Sequence, residues 1–304
     1  MREIHVVGSC NMDLVMQVAE LPAPGHTVLG GSFHHVSGGK GANQAVAARR
    51  AGGSVVLHAA LGMDAYGNEL FHLYEADGID CSHILRDAHH PTGTAVILVD
   101  RRGENLIAVA SGANLSVMPP TFVSNAGVFL VQGEVSPETI YGTIDLAVDA
   151  CIPVILNNAP VVEIPESRRA SVDILIVNEH EAGMMTNAEV TNRATAESAI
   201  SLLRDQGYPC VIVTLGAEGV VCSHGDEMLF QPAFHVNPVD TTAAGDTFCG
   251  AFAARYVSGD SLATAIAYAS AAAACSTLKF GAQSSIPDVA QTDEFLASKP
   301  ALRS

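Results

Sequence analysis

The 304-residue sequence contains no tryptophan, and aromatic residues make up only 5% of it. Basic residues are also few: 15 lysines and arginines stand against 32 aspartates and glutamates, which gives a formal net charge of −17. This balance argues against nucleic acid or an anionic membrane surface as the main partner. Apolar residues nevertheless make up 48% of the chain, enough to bury the core of one large α/β domain or of two smaller ones.

Three further absences concern the compartment and the membrane. The seven cysteines are scattered and never form a Cys-x-x-Cys pair, which indicates reduced thiols and neither a disulfide framework nor a zinc site. The first residues, MREIHVVGSC, lack the cationic segment and apolar core of a secretory signal. The longest apolar segment begins at Leu262, is rich in alanine and is too short to span a bilayer. We therefore expect a cytoplasmic protein without a membrane-spanning segment.

Short apolar runs rich in β-branched residues alternate with helix-like segments along most of the chain. This alternation is typical of a parallel sheet that is buried on both faces. We predict an α/β fold with a predominantly parallel sheet flanked by helices on both faces. The runs occupy residues 3–9, 54–62, 127–134, 151–160, 171–181 and 210–219.

Residues 13–37 and 92–113 depart from this alternation, because each resembles a pair of strands joined by a turn. We predict that they form a small antiparallel β-sheet outside a main domain made of residues 1–12, 38–91 and 114–304. A separate sheet with an apolar face needs a partner surface. We expect it to serve as a lid, as a dimer contact or as both.

The stretch VDTTAAGDTFCG, residues 239–250, places Asp246 in the first turn of a predicted helix. The preceding small residues leave the unpaired backbone amides of residues 243–246 uncovered, so that a phosphoryl group could approach them. Asp246 could then accept a proton from an attacking hydroxyl. The alternative is a helix N-cap, for which aspartate is well suited.

A glycine-rich loop, SGGKGANQ, precedes another predicted helix and carries Lys40 and Asn43 as polar groups. It matches neither the Walker pattern nor the dinucleotide pattern Gly-x-Gly-x-x-Gly. It is compatible with a polyhydroxylated ligand or with a tight turn. Asn11 and Asp13 are two residues apart at the end of the first predicted strand and therefore share one face. They could bind sugar hydroxyls or simply mark a polar strand end.

Asn178 and Glu181, in VNEHE, follow a buried strand and could hold a hydrated Mg²⁺ on a nucleotide phosphate or cap a helix. His180 lacks a second histidine or cysteine at ligand spacing, so we do not expect it to bind a metal. TLGAEGV, residues 214–220, is a strand followed by a glycine turn, which could admit phosphates or only reverse the chain.

Taken in order, these motifs resemble those of the ribokinase-like (PfkB-type) carbohydrate kinases. GGKGANQAVAARRAG and VDTTAAGDTFCGAF match the two signatures of that family. Between them lie GMDAYGNEL, GENLIAVASGAN, GEVSPETI, ILNNAP, VNEHEAGMMT and VTLGAEGV. The resemblance extends from about residue 4 to residue 297.

The resemblance implies a role for each matching position. Asp246 would be the catalytic base, and the amides of Ala243, Ala244, Gly245 and Asp246 would form the anion hole. The implied sugar-binding residues are Asn11, Asp13, Gly39, Lys40, Asn43 and Glu134. Asn178 and Glu181 would bind Mg²⁺ and phosphate, and Thr214, Gly216 and Gly219 would contact ATP. The implied ligands of a monovalent cation are Asp240, Thr242, Gly281 and Ser285.

The implied reaction is ATP-dependent phosphorylation of the 5-hydroxyl of D-ribose, with Mg²⁺ required and K⁺ stimulating, by a homodimer that associates through the small sheet. A kinase for 2-deoxyribose, another furanose or a nucleoside remains an alternative, as does a non-catalytic sugar sensor of the same fold. The absent Gly-x-Gly-x-x-Gly pattern disfavours a nicotinamide-dependent dehydrogenase. Cys249 and Thr242 depart from the residues usual in the family, which leaves the cation preference open.

Overall fold

Each of the six apolar runs contains a strand in the computed structural model, which describes residues 2–121, 124–225 and 227–298. The predicted main-domain ranges also include residues 1, 122–123, 226 and 299–304, which lie outside the described residues. The strands in chain order are β1 (Glu3–Val7), β2 (Asn11–Gln17), β3 (Ser32–Gly38), β4 (Ser54–Gly62), β5 (Ile84–Asp87), β6 (Gly93–Val99), β7 (Asn105–Ala110), β8 (Ala126–Gln132), β9 (Val154–Asn157), β10 (Ile174–Asn178), β11 (Val211–Thr214), β12 (Gly219–His224) and β13 (Glu227–Pro232).

Helices connect most of these strands, and several begin at side-chain caps, such as Ser136 and Asn192. The helices are α1 (Lys40–Arg50), α2 (Ala65–Ala76), α3 (Pro137–Ala150), α4 (Glu166–Arg169), α5 (Glu179–Thr186), α6 (Arg193–Asp205), α7 (Ala244–Val257), α8 (Leu262–Ser276) and α9 (Val289–Ser298). No helix in these described ranges has both the length and the apolar character needed to cross a bilayer.

Nine of the described strands form the main sheet, in the order β13-β12-β11-β10-β9-β8-β1-β4-β5. All pairs from β11 to β5 are parallel, whereas β12 pairs antiparallel with both β11 and β13. After β1 the chain builds one side of the sheet through β4 and β5, and then returns to the other side of β1 with β8. The order of strand addition therefore reverses between the neighbouring strands β1 and β8. In open α/β sheets, ligands bind at the carboxyl ends of the strands beside such a point.

The two faces of the main sheet bury separate apolar clusters, which explains why its strands are almost continuously hydrophobic. In β8, Val128 and Leu130 belong to the cluster under α1, α7 and α8, whereas Phe129 and Val131 belong to the cluster under α3 and α6. All four side chains are fully buried. The predicted parallel sheet with helices on both faces is therefore confirmed.

The predicted small separate sheet is also confirmed, with the strand order β3-β2-β6-β7. Its two outer pairs are antiparallel, as predicted, while its central pair, β2 and β6, is parallel. Both central strands leave the same edge of the main body, where Asn11 pairs with Gly93, and therefore run in the same direction. Asn114 ties this base together, since its side chain bonds the backbone of Cys10 and the Oδ1 of Asn11.

Helix α1 is buried along most of its length because it packs against both the main sheet and α7. The two helices approach at Gly250, where an added Cβ would lie 2.3 Å from the carbonyl oxygen of Gln44 and 2.6 Å from the Cβ of Ala47. Only glycine permits this approach, because a backbone oxygen cannot move aside as a flexible side-chain end can.

We expect Gly250→Ala to lower the free energy of unfolding by about 1–3 kcal/mol, the usual cost of overpacking a core, because α1 and α7 must separate. Urea denaturation of the two proteins measures the difference.

Gly245→Ala is the matched control in the same helix, since no atom lies within 4 Å of its added Cβ. Alanine is the better helix former by about 0.5–1 kcal/mol, so this variant should unfold no more easily than the parent protein. Equal destabilisation by both substitutions would contradict the packing explanation.

Candidate functional site

The predicted site residues gather at the carboxyl edge of the main sheet, beside β1 and β8. Ser9 follows β1, Glu134 follows β8 and Asn157 ends β9. Asn11 and Asp13 are placed differently from the expectation, because they belong to β2, the first strand of the small sheet, and not to the end of β1. They still share one face of their strand, since side chains alternate along it. The site therefore lies where the small sheet joins the main sheet.

Asp246 occupies the first turn of α7, as predicted, and only 6% of the residue is exposed. The Nδ2 of Asn43 donates to its Oδ2 at 2.9 Å, and the Nε2 of Gln44 donates to its Oδ1 at 3.0 Å. Both donors come from the first turns of α1, which the contact at Gly250 brings against α7. A buried carboxylate with a donor on each oxygen has a defined orientation.

The turn before Asp246 is open to the outside at Gly245. Ala243 has a left-handed backbone (φ 59°), a conformation that costs a non-glycine residue about 1–2 kcal/mol and that clusters at functional turns. An added Cβ on Gly245 would meet nothing within 4 Å. The expectation of unpaired amides is wrong for Ala244, whose N–H donates to the carbonyl of Thr241 at 3.2 Å. Among the described residues, no backbone carbonyl engages the amides of Ala243, Gly245 and Asp246, which remain the predicted donors for an anion.

The predicted sugar-binding residues lie next to this turn. Glu134 accepts hydrogen bonds from the Ser9 hydroxyl, at 2.5 Å, and from the backbone amide of Lys40, at 3.0 Å. Gly39, the N-cap of α1, lies against Asn11, because an added Cβ on Gly39 would be 2.7 Å from the Asn11 nitrogen. The structure thus brings all six predicted residues to one place.

Several ionisable side chains lie close together among the predicted sugar-binding residues. Burial raises the pKa of Asp13 to about 7, and the charges of Glu134 and Asp246 add to the rise. The charge of Asp246 raises the pKa of Lys40, with help from Glu134 and Glu181, and outweighs the burial that lowers it. The charges of several carboxylates therefore act on the Lys40 ammonium group.

A cavity of about 300 Å³ opens on the other side of Gly245. The three residues predicted for the nucleotide, Thr214, Gly216 and Gly219, line it together with Ala244 and Gly245. Its remaining walls are mostly apolar and include Val220, Phe234, Val236, Phe248 and Ala273. Its size and lining suit a flat aromatic ring with a polar tail that ends at the turn before Asp246.

Asn178 and Glu181 form a capping box at the start of α5, so the capping alternative is confirmed. The backbone amide of Asn178 donates to the Oε2 of Glu181, and the backbone amide of Glu181 donates to the Oδ1 of Asn178, both at 2.8 Å. Burial raises the pKa of Glu181, and the bond from Asn178 and the charge of Lys40 oppose this rise. The second carboxylate oxygen, Oε1, takes no part in the cap, and Lys40 is near enough for its charge to act on Glu181.

Asp240 connects the turn before α7 to the loop around Gly281. Its Oδ1 accepts the amide and the hydroxyl of Thr242, at 2.9 and 2.7 Å, and its Oδ2 accepts the Gly281 amide at 2.9 Å. Burial raises the pKa of Asp240, but these hydrogen bonds outweigh burial and lower it. Ser285 lies in the following turn, where its hydroxyl donates to the Ala282 carbonyl at 2.8 Å. These four predicted residues therefore belong to two connected turns.

Sequence reasoning missed several polar residues that bond to Asp246 or to the predicted sugar-binding residues, or to one another. Gln132 and Asn157 end two adjacent parallel strands at the carboxyl edge, which was a usable signal. The others had no signal of their own, because their partners are distant in the chain. The missed residues are Ser9, Gln44, Asn114, Gln132, Asn157 and Gln283.

Comparison with known proteins agrees with this geometry. Residues 1–289 match the model of the pfkB family carbohydrate kinases. Ribokinase of Haemophilus influenzae is 37% identical over 302 residues, which cover 97% of this chain and 98% of that protein. Deoxyribokinase of Salmonella typhi is 32% identical over 302 residues, which cover 97% of this chain and 99% of that protein.

Solved structures give the same result. The crystal structure of ribokinase from Thermotoga maritima superposes with a TM-score of 0.89 at 35% identity and covers 98% of this chain and 100% of its own. Arabidopsis thaliana ribokinase complexed with ribose and ATP superposes with a TM-score of 0.88 at 29% identity, covering 98% and 99% of the two chains. By its full-length match in sequence and in fold, this chain belongs to the pfkB family of carbohydrate kinases.

Proposed function

We propose that the protein transfers the γ-phosphoryl group of ATP to the 5-hydroxyl of D-ribose, which yields ribose 5-phosphate and ADP. The observation that carries this proposal is the position of the Asp246 carboxylate. It lies between the predicted sugar-binding side chains and the open turn at Gly245, behind which a nucleotide-sized cavity begins. The ribose and ATP in the Arabidopsis relative supply the names of the two substrates.

The sugar would lie between the small sheet and α1. Asp13 and Glu134 would accept hydrogen bonds from its hydroxyls, while the side-chain amide of Asn43 would donate to it. The 5-hydroxyl would then point at Asp246, which accepts the proton as the oxygen attacks phosphorus. Phosphoryl transfer has a loose transition state that needs little proton removal early, so positioning supplies most of the acceleration.

The nucleotide would place its base in the apolar cavity and its triphosphate along the turn. The amides of Gly245 and Asp246, at the positive end of the α7 dipole, would face the transferring phosphoryl group. The Lys40 ammonium would neutralise part of the charge that develops on it. ADP and the protonated carboxyl of Asp246 remain after the transfer, and the proton passes to solvent.

The donor groups also fit the two cations that we propose. The described residues contain no group of three or more His, Cys, Asp or Glu that could hold a metal. Mg²⁺ would therefore be held mainly by phosphate oxygens and water, with Glu181 Oε1 as the outer acceptor beside Asn178. K⁺ would be held by oxygens from Asp240, Thr242, Gly281 and Ser285. When bound, the cations supply positive charge that offsets the charge of the triphosphate.

We further propose that residues 13–37 and 92–113 act as a lid on a main domain made of 1–12, 38–91 and 114–304. A closed lid would exclude water, which competes with the sugar as phosphoryl acceptor. The cytoplasmic location remains a prediction from the cysteine pattern.

A homodimer formed through the small sheet is supported by a row of apolar side chains. Phe33, Met16, Leu98 and Leu106 pair in turn across the four strands and so lie on one face. Phe33, Met16 and Leu106 are 57%, 39% and 50% exposed. A second copy of the sheet offers the same surface in return, as two-fold symmetry requires.

The second candidate substrate is 2-deoxy-D-ribose, favoured by the similarity to deoxyribokinase. We expect ADP release with D-ribose to exceed that with 2-deoxyribose, other furanoses and nucleosides, to require Mg²⁺ and to be faster in K⁺ than in Na⁺. A coupled assay across this panel measures kcat/KM for each sugar.

Asp246→Asn is the control for contaminating kinases, and its turnover should fall by about 10²–10⁴-fold while sugar binding persists. No turnover on any pentose would refute the proposed reaction. A strong preference for 2-deoxyribose would replace the first candidate by the second.

The raised pKa of Asp13 predicts a pH dependence of sugar binding. Since this carboxyl is protonated below about pH 7 in the free protein, the KM for D-ribose should fall as the pH rises through 7. Asp13→Asn should have a high KM that does not change over this range. Steady-state kinetics between pH 5.5 and 8.5, a range of about 1.5 units around this pKa, tests both expectations.

The same pKa has a consequence for stability. A carboxyl whose folded pKa is raised stabilises the fold at acid pH, and this contribution is lost as the pH rises through the folded value. Asp13→Asn should therefore exceed the parent protein in unfolding free energy above pH 7, and the difference should shrink toward pH 4, near the ordinary pKa. A difference independent of pH would contradict the raised pKa.

The dimer is tested by sedimentation at micromolar concentration, where the species should have twice the 31.5 kDa mass of the chain. Leu106→Glu should sediment as a monomer, because it places a charge in the apolar row. Val148→Glu is the control, since Val148 is 54% exposed on α3, far from the small sheet in the chain. A monomeric parent protein, or equal effects of both variants, would exclude this dimer.

A further inference from the structure

Asp246 is connected to the main sheet through a chain of buried side-chain amides. The Nε2 of Gln44 donates to Asp246 Oδ1 at 3.0 Å and to Asn157 Oδ1 at 2.9 Å. The Oε1 of Gln44 accepts from the Nε2 of Gln132 at 2.7 Å. Gln44 and Gln132 are fully buried. Both N–H groups and the carbonyl of Gln44 are therefore engaged by protein groups.

The strands determine the orientation of this chain. Asn157 Nδ2 donates to the Ile176 carbonyl at 3.1 Å, and Gln132 Nε2 donates to the Leu130 carbonyl at 3.4 Å. Because these backbone carbonyls only accept, the end amides cannot turn over without losing their bonds. A reversed Gln44 would in turn place its oxygen against the oxygens of Asp246 and Asn157. Gln44 is thus held with its N–H groups toward Asp246.

Gly8, which follows β1, leaves space for this chain of side-chain amides. An added Cβ on Gly8 would lie 1.9 Å from Gln132 Oε1. A side chain at position 8 would therefore displace the amide that orients Gln44. The chain of amides depends on a glycine more than thirty residues before Gln44 in the sequence.

Asn43 differs from Gln44 in how many of its side-chain N–H groups are hydrogen-bonded. Its Nδ2 donates to Asp246 Oδ2 at 2.9 Å, and its Oδ1 accepts from Gln283 Nε2 at 3.1 Å. Among the described residues, no partner engages the second N–H of Asn43, which is free for a sugar hydroxyl. Gln44 has no N–H left for a substrate. Any influence of Gln44 on the reaction must therefore pass through Asp246.

We propose that Gln44 is a positioning residue, which keeps the Asp246 carboxylate oriented and ionised while the sugar engages Asn43 and the other oxygen. This proposal rests on the proposed function, in which Asp246 is the base. A donor that bonds the charged form favours ionisation, and its orientation is set before the substrate arrives. The other groups that act on the charge of Asp246 are Lys40 on α1, Asp13 on β2 and Cys249 on α7.

The test compares Gln44→Met, which keeps the volume and removes the donor, with Gln44→Glu, which places a carboxylate against Asp246. For Gln44→Met we expect kcat to fall by about 10–100-fold, as for other outer partners of reacting groups, while KM for D-ribose and for ATP changes by less than about threefold, because only the base is disturbed. The acid limb of the pH profile of kcat, where kcat falls at low pH, should move to higher pH in Gln44→Met. It should move further in Gln44→Glu, since a neighbouring negative charge disfavours ionisation.

The matched control is Asn158→Leu. Asn158 is also a fully buried amide beside the end of β9, but its side chain bonds the backbone of Val162. Its substitution should lower thermal stability without moving the acid limb. If that variant does not fold, Gln132→Met takes its place in the comparison: it loses the bond to Gln44 Oε1 and should show a smaller loss of kcat than Gln44→Met.

A direct titration makes the test independent of turnover. Carbon-13 NMR of aspartate-labelled protein, with the Asp246→Asn spectrum for assignment, should give a higher pKa for Asp246 in Gln44→Met than in the parent protein. An unchanged titration, or a kcat within threefold of the parent, would overturn the role of Gln44. A parent protein inactive on every sugar would refute the proposed function instead, while the titration would still decide whether Gln44 controls the ionisation of Asp246.

Discussion

Close contact between the backbones of α1 and α7 is the constraint on which the site depends. Asp246, the proposed base, belongs to α7, whereas the side-chain amides that hold its carboxylate belong to α1, about two hundred residues earlier in the chain. The contact at Gly250 brings the two helices near enough for side chains of ordinary length to bridge them. Because the helices are joined by packing and not by neighbouring sequence, the orientation of the carboxylate is a property of the whole core.

Grouping several carboxylates at one site costs free energy. Glu134, Asp246 and Glu181 act on the charge of Lys40, and Asp13 lies near Glu134 and Asp246. Burial raises the pKa of two of these carboxyls, Asp13 and Glu181. Such a group is costly in a protein of net charge −17. Hydrogen bonds from side-chain amides offset the negative charge of Asp246, and the Lys40 ammonium offsets the negative charge of the carboxylates around it. A triphosphate adds further negative charge, which is the physical reason for proposing two cations beside this site.

Much of the molecule could be predicted from short segments. Alternating strands and helices are local properties, so the parallel sheet and the separate small sheet followed from the pattern of apolar runs. The role expected for Asp246 also came from local features, a helix start preceded by small residues, together with a family resemblance. The parallel pairing of β2 with β6 did not follow, because it depends on both segments leaving the same edge of the main body.

The sequence by itself determined which residue types stand at strand ends and helix starts, and hence the fold class and the candidate base. Only the tertiary structure decided which of these residues meet. Asn178 and Glu181 close on each other as a cap, and the Ala244 amide is used by its own turn. Gln44, which had no signal of its own, donates a hydrogen bond to Asp246. The reason is that the direction of a side-chain amide depends on partners from several strands, and no short stretch of sequence contains them together.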